Sequence, residues 1–151
     1  MIAMKGYSMS VDENNARARI VEADISLKDA VNIAHHIRGM KLDYAKQILE
    51  DVVSKKYAIP YFRYLDSVSH RPGKGPGRYP VKAAKVFIDL LSNVENNAEF
   101  KGMNTDSLII KHVAANKGRM IKKYTPKAYG RAGANFKDLI NLEVIVTEGD
   151  Q

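Results

Sequence analysis

Leu108-Ile109-Ile110-Lys111-His112-Val113-Ala114-Ala115 and Leu139-Ile140-Asn141-Leu142-Glu143-Val144-Ile145-Val146-Thr147 bracket a stretch that reads Gly118-Arg119-Met120-Ile121-Lys122-Lys123-Tyr124-Thr125-Pro126-Lys127-Ala128-Tyr129-Gly130-Arg131-Ala132-Gly133-Ala134-Asn135-Phe136-Lys137. Both flanking runs have strand character. In the second, Ile140, Leu142, Val144 and Val146 fall on one face, the period of two expected of a strand that covers a core. Antiparallel pairing of the two runs makes everything between them one long hairpin, because no turn signal lies close to either run. At about 3.3 Å per residue, arms of about ten residues beyond the sheet reach roughly 30 Å from the body.

No carboxylate occurs between Asp106 and Asp138, a stretch that holds eight of the 24 Lys and Arg residues. The remainder carries 16 basic against 17 acidic residues, so the net charge of +7 belongs to the projection and the body is near neutral. A projection of that charge points to a polyanion. Within it, cations alternate with Tyr124, Tyr129 and Phe136. Lys and Arg neutralise phosphates, aromatic rings stack on unpaired bases, and Gly lets a backbone approach a ribose or groove closely. The competing reading is a flexible, solvated loop. An isolated two-stranded arm is at best marginally stable in water, which predicts ordering where a partner encloses it.

Outward from the hairpin, Ala16 to Ile25 alternates in its first half and predicts a half-exposed strand. Ser26, three residues before Asp29, resembles a capping box. Leu27, Ala30, Val31, Ala34 and Ile37 then recur at helical spacing up to Gly39, a left-handed stop. A second helix is predicted from about Leu42 to Lys56, with Leu42, Ala45, Ile48, Leu49, Val52 and Val53 on one face. A third starts near Pro80, carries Val81, Ala84, Phe87, Ile88, Leu91 and Val94 as its apolar stripe, and ends by Gly102. Between Tyr57 and Pro80, aromatics give way to His70-Arg71-Pro72-Gly73-Lys74-Gly75-Pro76-Gly77-Arg78-Tyr79, which predicts an irregular loop. The fold class is therefore α+β: three helices on a small antiparallel sheet in the order β-α-α-α-β-β, with a long protruding hairpin. A length of 151 residues with 45% apolar content predicts a single domain over 1–151, including the basic insert at about 57–79 and the arm at about 116–138.

Ser67 to Ile88 is also free of acids and contains Arg71, Lys74, Arg78, Lys82 and Lys85, a second candidate phosphate-contacting surface whose alternative is a solvated basic connection. No Gly-Lys-Ser or Gly-Lys-Thr closes its Gly pattern into a phosphate-binding loop, and dinucleotide-binding spacing is missing. The candidate RNA-contacting residues are Arg17, Arg19, Arg71, Lys74, Arg78, Lys82, Lys117, Arg119, Lys122, Lys123, Tyr124, Lys127, Tyr129, Arg131 and Lys137.

Cys is absent, which excludes disulfides and thiolate metal sites. Met1 to Ser10 holds no apolar run of signal-peptide length, and nothing later approaches about 18 consecutive apolar residues, so the expectation is a soluble cytoplasmic protein with no membrane partner. A pI near 9.5 favours nucleic acid over an acidic small molecule. Catalysis is poorly supported. His35 and His36 are adjacent and point about 100° apart on a helix, while His70 and His112 lie in unrelated segments without metal-ligand spacing, so neither a metal nor a cofactor is expected. Asp12 with Glu13, and Glu22 with Asp24, are accounted for as solvated carboxylates or as partners of Arg17 and Arg19.

Several motifs together carry a resemblance: Ser26 with Lys28, Ile37-Arg38-Gly39, Ala45, Asn97-Ala98-Glu99 with Lys101-Gly102, and Pro126-Lys127-Ala128-Tyr129-Gly130-Arg131-Ala132. Over nearly its full length the chain resembles the universal large-ribosomal-subunit protein twenty-two family, numbered seventeen in eukaryotes, in its archaeal form. The insert from about Tyr57 to Tyr79 departs from the shorter bacterial pattern. The resemblance implies a non-enzymatic structural constituent of the large subunit. It also implies contacts with several domains of the large-subunit RNA, of 23S type, and a hairpin reaching inward to line the polypeptide exit tunnel. The tip, about Ile121 to Arg131, would lie near the constriction beside ribosomal protein four and transiently meet the nascent polypeptide, with Lys122, Lys123, Lys127 and Arg131 on RNA or tunnel wall. The alternative is a DNA-architectural protein that wraps duplex with a cationic β-ribbon arm. An enzyme acting on RNA ranks third, because no acid-base or metal groups cluster in sequence.

Overall fold

A computed structural model describes residues 6–10 and 14–149. Its main sheet is antiparallel, in the order β1 (Ala16–Ala23), β8 (Lys137–Glu148), β5 (Leu108–Ile121). The two strand-like runs of the sequence do pair, in a register that runs from Leu108↔Glu148 to Ile121↔Lys137. Both extend further than alternation predicts. Beyond Ala115 the strand leaves the body and has no core to face, so side-chain patterning lapses while the backbone ladder continues. One extra residue sits in β5 between Lys117 and Met120, opposite Leu139. At this bulge a Cβ on Gly118 would stand 2.9 Å from the Leu139 carbonyl oxygen.

The helices cover one face of the sheet. In α1 (Leu27–Ile37) the Ser26 side chain accepts from the Asp29 N–H, and Ala30, Ile33, Ala34 and Ile37 are buried. Gly39, at φ +81°, ends the helical run as expected and donates its N–H to the Ile110 carbonyl at 2.9 Å, which fixes the α1 exit against β5. In α2 (Leu42–Val53), Leu42, Ala45, Ile48, Leu49 and Val52 are buried. In α3 (Val81–Phe100), Phe87, Leu90, Leu91, Val94 and Ala98 are fully enclosed, and Lys46 of α2 pairs with Glu95 of α3. The inner face of the sheet supplies Leu108, Ile110, Val113, Ile140, Leu142, Val144 and Val146 to the same core.

The insert expected to be irregular instead forms a small sheet, in the order β2 (Ile59–Pro60), β4 (Gly75–Arg78), β3 (His70–Arg71). Gly73 and Gly75, at φ +69° and +67°, close the turn that lets Arg71 pair with Gly75 and His70 with Pro76. Strands made of Gly and Pro have no side-chain alternation to display, so the ladder left no trace in the pattern. The insert is tied to α1 through Asn32, which is fully buried. Its carboxamide nitrogen donates to the carbonyls of Lys28 (2.7 Å) and Arg63 (3.2 Å), and its oxygen accepts from the N–H groups of Phe62 (2.9 Å) and Arg63 (3.2 Å). Tyr61, itself buried, donates its hydroxyl to Asp29.

Candidate nucleic-acid interface

Past Ile121 the arm continues as β6 (Tyr124–Pro126) paired with β7 (Ala132–Ala134), in the register Tyr124↔Ala134 to Pro126↔Ala132. The Lys127 N–H donates to the Arg131 carbonyl at 2.7 Å and closes the tip, where Tyr129 and Gly130 take left-handed φ values of 58° and 68°. Tyr129 is 99% exposed, so the tip presents an aromatic ring to solvent. Tyr124 meets Phe136 edge to face, 5.8 Å between centroids. Lys122, Lys123, Lys127 and Arg131 are exposed, and none forms an ion pair among the described residues. Four cations and three exposed rings on a narrow ribbon are therefore open to a ligand.

The root of the arm differs. Lys117 pairs with Asp138 (3.0 Å), Arg119 with Glu22 (3.0 Å), and Lys137 and Lys82 both with Asp24 (2.7 and 3.0 Å). The bulge in β1 between Ile20 and Ala23 places Glu22 at φ 58° and aims it at the arm, with its N–H donating to the Asn141 side chain. Hydrogen bonds from Lys137 and then Lys82 hold the Asp24 carboxyl below its ordinary range. Glu22 and Asp24 are thus partners of the arm and α3 rather than of Arg17 and Arg19. Those two arginines alternate with the buried Ala16 and Ala18 on the outer face of β1, beside the N-terminal segment. The Arg17 guanidinium lies 5.4 Å from the Tyr7 ring centroid, and Arg19 lies against Gly6. Asp12 and Glu13 lie outside the described residues.

Insert cations are positioned by aromatic rings. Arg71 lies 5.2 Å from the Tyr79 centroid, while Lys74 sits 3.9 Å from the Tyr57 centroid and donates to the Tyr57 hydroxyl at 2.8 Å. That hydroxyl also contacts His36 Nε2 at 3.2 Å. Burial, with Lys74 and His35 nearby, pushes the His36 imidazole below its ordinary pKa. Arg78 donates to the Ser67 carbonyl at 3.2 Å. The candidate residues thus fall into separate groups: a tip, a root, an insert face and, for Arg17 and Arg19, the outer face of the sheet.

Another group escaped sequence reasoning. Lys28 and His35 on the outer stripe of α1, and Arg38 just past its last residue, lie next to Phe62, Arg63 and Tyr64 of the insert. Their spacing of seven and three residues, together with the run Tyr61-Phe62-Arg63-Tyr64, was a usable signal. It was obscured because the same helix has a stronger apolar stripe.

The types of residue found in a nucleophile relay do meet once, on the outer face of the sheet. Ser8 and Glu143 both approach His112, but at the same ring nitrogen, Nε2, each at 3.1 Å. A relay needs the acid on one nitrogen and the nucleophile on the other, so this cluster cannot orient and deprotonate a serine. It is a structural tie: Glu143 is buried and accepts the Ser8 N–H at 3.1 Å on each oxygen, which pins the N-terminal segment. Among the described residues no group of His, Cys, Asp and Glu could hold a metal ion, and no helix is long and apolar enough to cross a membrane.

These elements define a class of protein, a compact α+β body that holds out a cationic two-stranded arm. The chain belongs to the ribosomal protein L22p/L17e family, whose sequence profile matches residues 18–147. Relatives named large ribosomal subunit protein uL22 include that of Thermoplasma acidophilum, 79% identical over 151 residues and covering all of both chains. That of Picrophilus torridus is 66% identical over 149 residues, covering 98% of this chain and 99% of the relative. That of Methanocaldococcus jannaschii is 43% identical over 152 residues, covering 98% and 97%. The resemblance carried by the Ser26, Ile37-Arg38-Gly39 and Pro126–Ala132 motifs is borne out. The family consists of structural, non-enzymatic constituents of the large ribosomal subunit, a cytoplasmic particle of the translation machinery.

Proposed function

We propose that this chain, acting as one domain over its whole length, binds the large-subunit RNA and joins several of its domains, with the arm lining the polypeptide exit tunnel. The observation that carries this is the partition of charge: Lys122, Lys123, Lys127 and Arg131 are exposed at the tip without ion pairs among the described residues, whereas the root cations are paired, Arg119 and Lys137 to carboxylates of the body and Lys117 across the arm to Asp138. Unpaired cations interleaved with exposed rings suit converging phosphates and unpaired bases, and the paired root sets the arm's direction. The insert face with Arg71, Lys74 and Arg78, and the outer face with Arg17 and Arg19, supply further phosphate contacts on the body. At the tunnel constriction the tip neighbours ribosomal protein four and meets the nascent polypeptide in passing, with Tyr129 the most advanced side chain.

Sucrose-gradient fractionation of cell extract tests the ribosomal part. The chain is expected to co-migrate with the large subunit through a high-salt wash, and recovery in light fractions alone contradicts the proposal. For the tunnel, a photoreactive residue at position 129 in ribosomes carrying a stalled chain is expected to cross-link to RNA and to the nascent peptide. Cross-links confined to proteins of the outer surface contradict that placement.

A further inference from the structure

Phe62, Tyr64 and Leu65 are 42%, 43% and 47% exposed, large apolar side chains held in solvent by an insert whose backbone is fixed. Asn32 binds the N–H groups of Phe62 and Arg63 and the Arg63 carbonyl, and Tyr64 sits at a left-handed φ of 59°. A non-glycine residue kept in that conformation is constrained by its surroundings rather than by preference. The rings are therefore preorganised, and each stands beside a concavity.

On one side, a hollow of about 300 Å³ lies between α1 and β5. The His35 ring stacks on Phe62 there, 3.9 Å between centroids and 27° between planes, and Arg38 and Arg63 line the hollow. Arg38 is held by donating to the Val113 carbonyl at 2.9 Å. On the other side, a hollow of about 570 Å³ is lined by Tyr64, Phe136, Lys28, Lys82 and Lys137. Each hollow thus combines aromatic surface with cations. Among the described residues, the carboxylates that line them, Asp24 and Asp138, are paired with lysines.

We propose that this α1-facing surface is a second RNA site, distinct from the arm tip, that takes an unpaired RNA segment and seats one base against the His35–Phe62 pair and another against Tyr64 and Phe136. Flanking phosphates lie on Arg38 and Arg63 in one hollow and on Lys28 in the other, with Lys82 and Lys137 shared with Asp24. Stacked aromatic platforms beside cations bind single strands with little regard to sequence, since every base has a π face. A regular duplex offers no free base face, so the site discriminates by pairing state. The inference rests on the RNA-binding reading above.

The test uses the full chain with a single-stranded oligoribonucleotide containing 2-aminopurine, whose fluorescence falls on stacking, and an RNA duplex as comparison. Phe62→Ala and Tyr64→Ala are each expected to weaken single-strand binding roughly 5- to 150-fold, the range for one lost base stack. They should reduce the quenching, leave duplex binding intact and leave the slope of log affinity against log salt unchanged, because no phosphate contact is lost. Tyr64→Phe should retain the wild-type values, and the more conservative Phe62→Leu and Tyr64→Leu serve if an alanine variant loses its circular dichroism spectrum. Unchanged single-strand affinity in these variants, or equal losses for single strand and duplex, overturns the site while leaving the arm reading intact. Failure of the wild type to bind any RNA removes both.

Discussion

Single residues give sharply separated tests. Asn32 satisfies the backbone of the insert from inside α1, so Asn32→Ala leaves the partly buried N–H groups of Phe62 and Arg63 and the Arg63 carbonyl without their partner and is expected to destabilise the fold by about 1–3 kcal/mol, read from chemical denaturation. Gly118→Ala forces a Cβ to within 2.9 Å of the Leu139 carbonyl in the arm root, an overpacking expected to cost roughly 1–3 kcal/mol and to speed amide exchange in the arm before the body. His36 carries a pH dependence. Its folded pKa lies below the unfolded value of about 6.5, so the unfolded chain binds more protons in the window between the two. Stability is therefore full above about pH 6.5 and declines as pH falls through that window. Replacing His36 with Gln should flatten the thermal midpoint there. Asp24 acts in a different window: its lowered pKa gives stability that is lost only as pH falls below its unfolded value near 3.8.

At the level of elements, what was legible in the sequence is what repeats. The three helices were visible because Ala30, Ala34 and Ile37, or Phe87, Leu91 and Val94, return at the spacing of a buried stripe, and β8 because its apolar residues alternate. The small sheet of the insert was not legible, since Gly75, Pro76 and Gly77 pair through backbone alone. Nor was the root of the arm, because Arg119 finds Glu22 from 97 residues away, and only the β1 bulge aims that carboxylate. The candidate site was legible as charge but not as geometry: sequence ranked Lys82, Lys117, Arg119 and Lys137 with the tip cations, and the folded chain separates them by pairing the first group. This separation has a consequence. Asp24→Asn releases Lys82 and Lys137 together, and since all these groups are well exposed the thermal midpoint should barely move, while RNA affinity at low salt should rise and its salt dependence steepen. Weakened RNA binding in that variant would mean that Asp24 orders the interface rather than restraining it.

For the whole molecule, the governing arrangement is a near-neutral body that aims a cationic arm. The core built from α1, α2, α3 and the main sheet fixes the direction, and the charge lies where the core ends. Which cations meet the polyanion decides the role of the arm. The most direct measurement is the salt dependence of binding between the full chain and a large-subunit RNA fragment. It is made for the wild type, for a tip variant with Lys122, Lys123, Lys127 and Arg131 changed to Ala, and for a root variant with Lys82, Lys117, Arg119 and Lys137 changed to Ala. Loss of four phosphate contacts should lower the magnitude of the log-log slope by roughly three units in the tip variant and by clearly less in the root variant. An unchanged slope in the tip variant, or an equal loss in both, would contradict the assignment of RNA binding to the arm tip.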